Sequence, residues 1–134
     1  MAAELTRRLV LAAAALVLAA PCLALAQEGL RNVTPREAYA ALEADPSIAI
    51  IDIRTPQEFA EGHIEGATNI DFYARDFIQQ FVTLDPARTY LIYCRSGNRS
   101  GKLMQALAQS PYRNVMNVST GLSGWQNEGL PTVK

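Results

Sequence analysis

After an opening run of their own, the apolar positions of this chain fall into two alternating patterns. Short, nearly continuous apolar runs at 47–52, 89–93 and 115–118 have the length and content of strands buried on both faces of a sheet. A briefer run at 67–70 reads as a further strand. Between these runs the spacing turns helical. Thr34-Pro35-Arg36-Glu37 sets a capping Thr before Pro at the first helical position, with Glu three residues after the cap. This predicts a helix carrying Ala38, Tyr39 and Leu42 on its apolar face to about Glu43, ended by Asp45-Pro46. Thr55-Pro56-Gln57-Glu58 repeats the signal and predicts a short helix that carries Phe59 inward and stops near Gly62. Phe77, Ile78 and Phe81 mark the apolar face of a helix over 75–81, and Leu103, Met104 and Leu107 that of one over 100–108. Residues 120–125 read as a Gly-rich turn before Trp125, which is expected to anchor in the core.

Strands alternating with helices predict a single α/β domain: a mainly parallel central sheet flanked by helices on both faces. Ligands of such sheets sit at the carboxyl ends of the strands, where both Cys94 and Asp52 fall.

The opening run is an address. Arg7 and Arg8 precede uninterrupted Leu, Val and Ala over 9–20, Pro21 breaks any helix, and Ala24-Leu25-Ala26 has the small-x-small form of a cleavage site. The run is about 12 residues long, short of the roughly 20 that span a bilayer. The expectation is a cleavable signal peptide over 1–26 and a domain over 27–134. The domain would be periplasmic or otherwise exported, with no membrane attachment after signal removal. Residues 6–11 loosely resemble a twin-arginine signal, but nothing in the chain calls for a cofactor loaded before export, so the general route is favoured. A lipoprotein would need a small residue before Cys22, where Pro21 stands.

Charge adds little: 12 basic against 13 acidic residues, with no basic patch of the kind that binds nucleic acid. Cysteine adds more. Cys22 leaves with the signal, so Cys94 is the one thiol of the expected mature chain. An unpaired cysteine in an exported protein is reactive, intermolecular, or a small buried hydrophobe. One Cys and one His, His63, make no metal set, and no nucleotide-binding glycine pattern is present; neither metal nor cofactor is expected.

The surroundings of Cys94 favour reactivity. The segment Cys94-Arg95-Ser96-Gly97-Asn98-Arg99-Ser100 lies between a predicted strand and a predicted helix. Such a turn aims backbone N–H groups and a helix N-terminus at any anion inside it. Arg95 and Arg99 add positive charge that favours a thiolate, and Gly97 lets the backbone wrap the sulfur tightly. Asn98 tolerates a left-handed conformation if one is needed. The arrangement suits covalent catalysis through an anionic intermediate.

This loop resembles the active-site loop of rhodanese-like sulfurtransferases, in which Cys-x-x-Gly-x-Arg-Ser is frequent. Asp52-Ile53-Arg54 with Glu58-Phe59 is similar to the family's Asp-x-Arg…Glu-Phe segment, and 62–67 (Gly-His-Ile-Glu-Gly-Ala) to its Gly-His-Ile-x-Gly-Ala signature. Gly121 to Trp125 is similar to its C-terminal Gly-rich turn, with Thr120 where a second Gly is common. The resemblance covers nearly all of 27–134 and is nearest the small single-domain periplasmic type. It implies the family's fold and a double displacement. Cys94 would take the outer sulfur of a small anionic donor such as thiosulfate. It would hold that sulfur as a persulfide within the loop, then pass it to cyanide, a thiol or an unnamed protein acceptor. Arg95, next to the nucleophile, is the candidate for attracting the donor. Asp52, Arg54, Glu58 and His63 are expected to support the loop structurally, with Arg54 paired to a carboxylate.

Other readings compete. Cell-cycle-type phosphatases and arsenate reductases share this fold and a Cys–Arg loop, but theirs is one residue longer and commonly has His before the Cys. Here four residues separate Cys94 from Arg99, and Tyr93 precedes the Cys. A sulfur-carrier or binding module acting with a protein partner would use the same thiol. Thiol redox chemistry would need a second thiol from a partner.

Overall fold

The structure is a computed structural model that describes residues 29–134. The expected signal peptide, its cleavage site and Cys22 lie outside the described residues. Ten elements follow in order: β1 (Leu30–Val33), α1 (Pro35–Ala44), β2 (Ala49–Asp52), α2 (Pro56–Glu61), β3 (Thr68–Asn69), α3 (Phe77–Phe81), β4 (Tyr90–Tyr93), α4 (Asn98–Leu107), β5 (Val115–Val118) and α5 (Gly121–Asn127).

Five strands form one parallel sheet in the order β1-β5-β4-β2-β3. Central β4 is buried along its whole length, which is why 89–93 reads as unbroken apolar sequence. Its alternate residues feed two cores. Tyr90, Ile92 and Cys94 face Phe77 and Phe81 of α3 and Leu103 and Leu107 of α4. Leu91 and Tyr93 face Ala38 of α1 and Leu122 and Trp125 of α5. The period of two along one strand therefore divides the molecule into its two layers and assigns Cys94 to the α4 side.

Both Thr-Pro-x-Glu signals form complete capping boxes: Thr34 with Glu37, and Thr55 with Glu58. The structure corrects three expectations and adds one strand that was not read. Edge strand β1 pairs with β5 although its four residues carry no strong strand signal. The strand expected over 67–70 shrinks to Thr68–Asn69. In α3, Phe77 and Phe81 are buried while Ile78 is 63% exposed, because one turn offers the core only the four-residue repeat. The Gly-rich segment before Trp125 is the first part of α5.

The chain end closes the α5 side. Trp125 is 1% exposed, meets Tyr39 edge-on, and donates from Nε1 to Pro131 O at 2.9 Å. Val133 then exchanges two 2.8 Å backbone hydrogen bonds with His63. Trp125→Ala is expected to cost about 3–5 kcal/mol. Urea denaturation followed by circular dichroism would measure that loss, and exchange protection at Val133 N–H should fall with it.

Candidate active site

The backbone leaves the carboxyl end of β4 at Cys94 and turns through 95–97 into α4. Gly97 is the N-cap of α4, with a left-handed φ of 95° and no side chain to cap with. The sulfur takes over that task. Cys94 Sγ accepts from Gly97 N at 3.1 Å and from Ser100 N, the third helical residue, at 3.4 Å, and lies 3.4 Å from Ser100 Oγ. A helix N-terminus normally gives these donors to a Ser, Thr or Asp side chain; here they converge on a thiol.

Cys94 and Ser100 are both fully buried. Burial alone would push the thiol up. Hydrogen bonds from the Ser100 hydroxyl and from the backbone N–H groups of Ser100, Gly97 and Ser96 outweigh it, leaving the thiol below its ordinary value.

Two glycines make the wrap possible. A Cβ on Gly97 would lie 1.9 Å from Ser119 O, and one on Gly121 (φ 62°) would lie 2.4 Å from Arg95 O. The start of α5 thus presses against the loop, and Leu122 N and Ser123 N donate to Cys94 O and Arg95 O at 2.9 and 3.0 Å. Gly121 was legible only as part of a turn motif; its role is this close approach.

Arg99 bonds Glu58 while its charge still acts on Cys94. Its Nη1 and Nη2 donate to Glu58 Oε2 and Oε1 at 2.8 and 2.9 Å, and Tyr73, whose ring centroid is 5.4 Å away, lies against the guanidinium. Glu58 Oε2 also accepts from Thr55 N, so one carboxylate closes the α2 capping box and holds the first turn of α4. Chiefly through Arg99, the Glu58 carboxyl is pulled down to about 2. Tyr73 sits in the loop before α3 and has no sequence signal that would have picked it out.

Arg54 and Asp52 form a second pair, nearly sealed from solvent. Nε and Nη2 of Arg54 donate to the Asp52 carboxylate at 2.7–3.0 Å, and Nη2 also reaches Gly62 O at 2.7 Å. Asn69 Nδ2 spans Asp52 O and Arg54 O, pinning the chain beyond β2. Tyr93, in register with Asp52, accepts Ile64 N at its hydroxyl, and burial followed by the Asp52 charge pushes its phenol up. His63 stacks on Phe59 and bonds Phe59 O through Nδ1 at 2.9 Å; its hydrogen bonds go to Phe59 and Val133, not to the Cys94 loop. Arg95, Ser96 and Asn98 are exposed at the mouth.

Two predictions follow from this geometry. Ser100→Ala removes one donor to the sulfur, so the pH midpoint for alkylation of Cys94 by iodoacetamide should rise, while the unsubstituted thiol should titrate below free cysteine. Glu58→Gln keeps a capping acceptor but breaks the ion pair. The folded-state carboxyl titrates near 2 against an unfolded value of 4.5, so its stabilisation is complete above about 4.5 and lost as pH falls through 2. The variant should be less stable by on the order of 1–2 kcal/mol at pH 7, and the gap should close toward pH 2 in urea titrations.

Comparison with known proteins agrees with this architecture. The family model described as "Rhodanese-like domain" matches residues 34–128. A sulfurtransferase of Allochromatium vinosum is 36% identical over 86 residues, covering 64% of this chain and 78% of that protein. Thiosulfate sulfurtransferase GlpE of Pseudomonas entomophila is 33% identical over 98 residues, covering 72% and 85%. The chain spans only about half, 51%, of the Synechocystis protein slr1261, to which it is 31% identical. Among solved structures, a rhodanese-related protein of Thermoplasma volcanium superposes with a TM-score of 0.68 at 26% identity, covering 77% of this chain and 97% of that one. With its five-stranded parallel sheet and a buried thiol capping α4, the chain belongs to the rhodanese-like domain family, whose named relatives are sulfurtransferases.

Proposed function

We propose that this protein is a sulfurtransferase that moves sulfane sulfur from a small anionic donor such as thiosulfate, through a persulfide on Cys94, to cyanide or a thiol. The observation that carries the reading is the convergence of loop and helix N–H groups on Sγ, which stabilises negative charge there in either half-reaction. In the first half the Cys94 thiolate attacks the outer sulfur of the donor. A new S–S bond forms, the old one breaks, and its electron pair leaves with sulfite. In the second half the acceptor attacks the outer sulfur and Cys94 departs as thiolate. Sulfurtransferase names among the relatives, one of them with thiosulfate, support this chemistry.

The engagement of Arg99 weighs against a phosphatase-type reaction, because both its η-nitrogens are held by Glu58 instead of facing an anion above the sulfur. The basic-then-apolar N-terminal pattern supports an exported, small single-domain protein of periplasmic type. The exposure of Arg95 next to Cys94 supports its attracting the anionic donor.

Incubating the protein with thiosulfate and measuring intact mass tests the proposal. The expected result is one added sulfur atom, removed by cyanide and absent in Cys94→Ala. No added sulfur, together with hydrolysis of a phosphate ester, would overturn it.

A further inference from the structure

A cavity of about 520 Å3 lies on the α1–α5 side of the sheet, a size that suits a small organic molecule. Ile48, Ile50, Ile64 and Trp125 in its lining belong to the core shared with those helices, whereas Cys94 belongs to the other core. Tyr39 and Leu42 line it from α1, and Pro131 and Val133 from the chain end. The chain end is held in place there, by the hydrogen bond from Trp125 to Pro131 O and by the paired bonds between His63 and Val133.

Three charged side chains join this apolar lining: Glu43, Glu65 and Arg88. All are exposed, and none forms an ion pair among the described residues. Arg88 directs Nε and Nη2 to Ser47 O, while the two carboxylates leave the cavity with one negative charge in excess. Helix α1 adds to the bias. Its last turn lines the cavity through Leu42 and Glu43, contains no basic residue, and is followed by Asp45 at the C-cap. The carbonyl end of a helix is negative and is stabilised by Lys or Arg. Here acidic residues stand at that end instead, a local conflict that a bound cation would relieve. Tyr39 and Trp125, edge-on with ring centroids 5.8 Å apart, supply aromatic surface that attracts cations as well as apolar groups.

We propose that this cavity is a second ligand site, separate from the Cys94 loop, and that it takes a small organic ammonium ion with an apolar body, an aralkyl- or alkylamine. The body lies against the isoleucines and the two rings, and the ammonium meets Glu43, Glu65 and the carbonyl end of α1. A neutral apolar ligand would leave both carboxylates unmatched, and an anion would be repelled by them. Nothing in this inference depends on sulfur transfer.

Binding of 2-phenylethylamine would be compared with that of 2-phenylethanol and 3-phenylpropionate, which keep the ring and replace the ammonium with a neutral or an anionic group. Trp125 is the only tryptophan of the chain, so its emission reports occupancy, and calorimetry measures the same equilibrium independently. The amine should bind at least tenfold more tightly than either analogue, with the advantage shrinking at high salt. Glu43→Gln and Glu65→Gln, both at exposed positions, should each weaken the amine severalfold and leave the melting temperature unchanged. Thr68→Phe, which adds a ring at an exposed lining position on β3, should weaken all three compounds. Equal affinity for the three, amine binding indifferent to both Gln variants or to Thr68→Phe, or neither heat nor emission change at millimolar amine would overturn the proposal.

Discussion

The structure around the candidate site depends on one substitution of roles: a cysteine sulfur stands where a helix expects its capping side chain. Helix α4 begins at a glycine that has nothing to cap with, and N–H groups of its first turn find Sγ instead. Those donors would otherwise be orphans in a buried region, an expensive condition for a backbone amide. The helix therefore needs the sulfur as much as the sulfur needs the helix. A partial positive charge at the helix N-terminus rewards negative charge on the cap, so the demand that stabilises α4 also favours the thiolate.

Holding this arrangement takes close contacts rather than many contacts. Gly97 and Gly121 let Ser119 and the Arg95 peptide approach to distances at which any Cβ would collide. Charge pairing then fixes the neighbours. Glu58 serves α2 as its capping-box residue and α4 as the partner of Arg99. Asp52 and Arg54, buried together, tie the end of β2 to the turn at Gly62. A buried pair of this kind is weak evidence for net stability; what it supplies here is a defined position for the chain that borders the loop.

Much of this was legible in the sequence, for identifiable reasons. Central strands buried on both faces leave unbroken apolar runs, and a capping box has fixed spacing, so β2, β4, β5, α1 and α2 could all be read. Cys94 stood out because Gly, Ser and Arg crowd the only thiol of residues 27–134. What escaped has long-range causes. Strand β1 is defined by its partner β5, some 85 positions away, and not by its own four residues. The commitment of Arg99 to Glu58 joins positions 41 apart. Tyr73 depends on how loops meet above the sheet. The exposure of Ile78 reflects a helix too short to bury two adjacent positions.

Burial and hydrogen bonding pull the Cys94 thiol in opposite directions, and that opposition has a chemical use. In the double displacement proposed above, the same sulfur would first attack and later depart. A lower thiol pKa speeds departure and raises the thiolate fraction, but it also reduces intrinsic nucleophilicity. A sulfur held only by N–H donors at a helix terminus would drift toward a stable, sluggish thiolate. One merely buried would stay protonated. Enclosing the sulfur fully while directing the donors of Gly97 and Ser100 at it leaves the pKa below the ordinary thiol value, with desolvation still opposing the fall. Backbone N–H groups and a hydroxyl bond the sulfur directly, while Arg99 acts on it by charge alone. A guanidinium bonded to the sulfur would deepen the thiolate well at the expense of the attack, and the ion pair with Glu58 engages those donors instead.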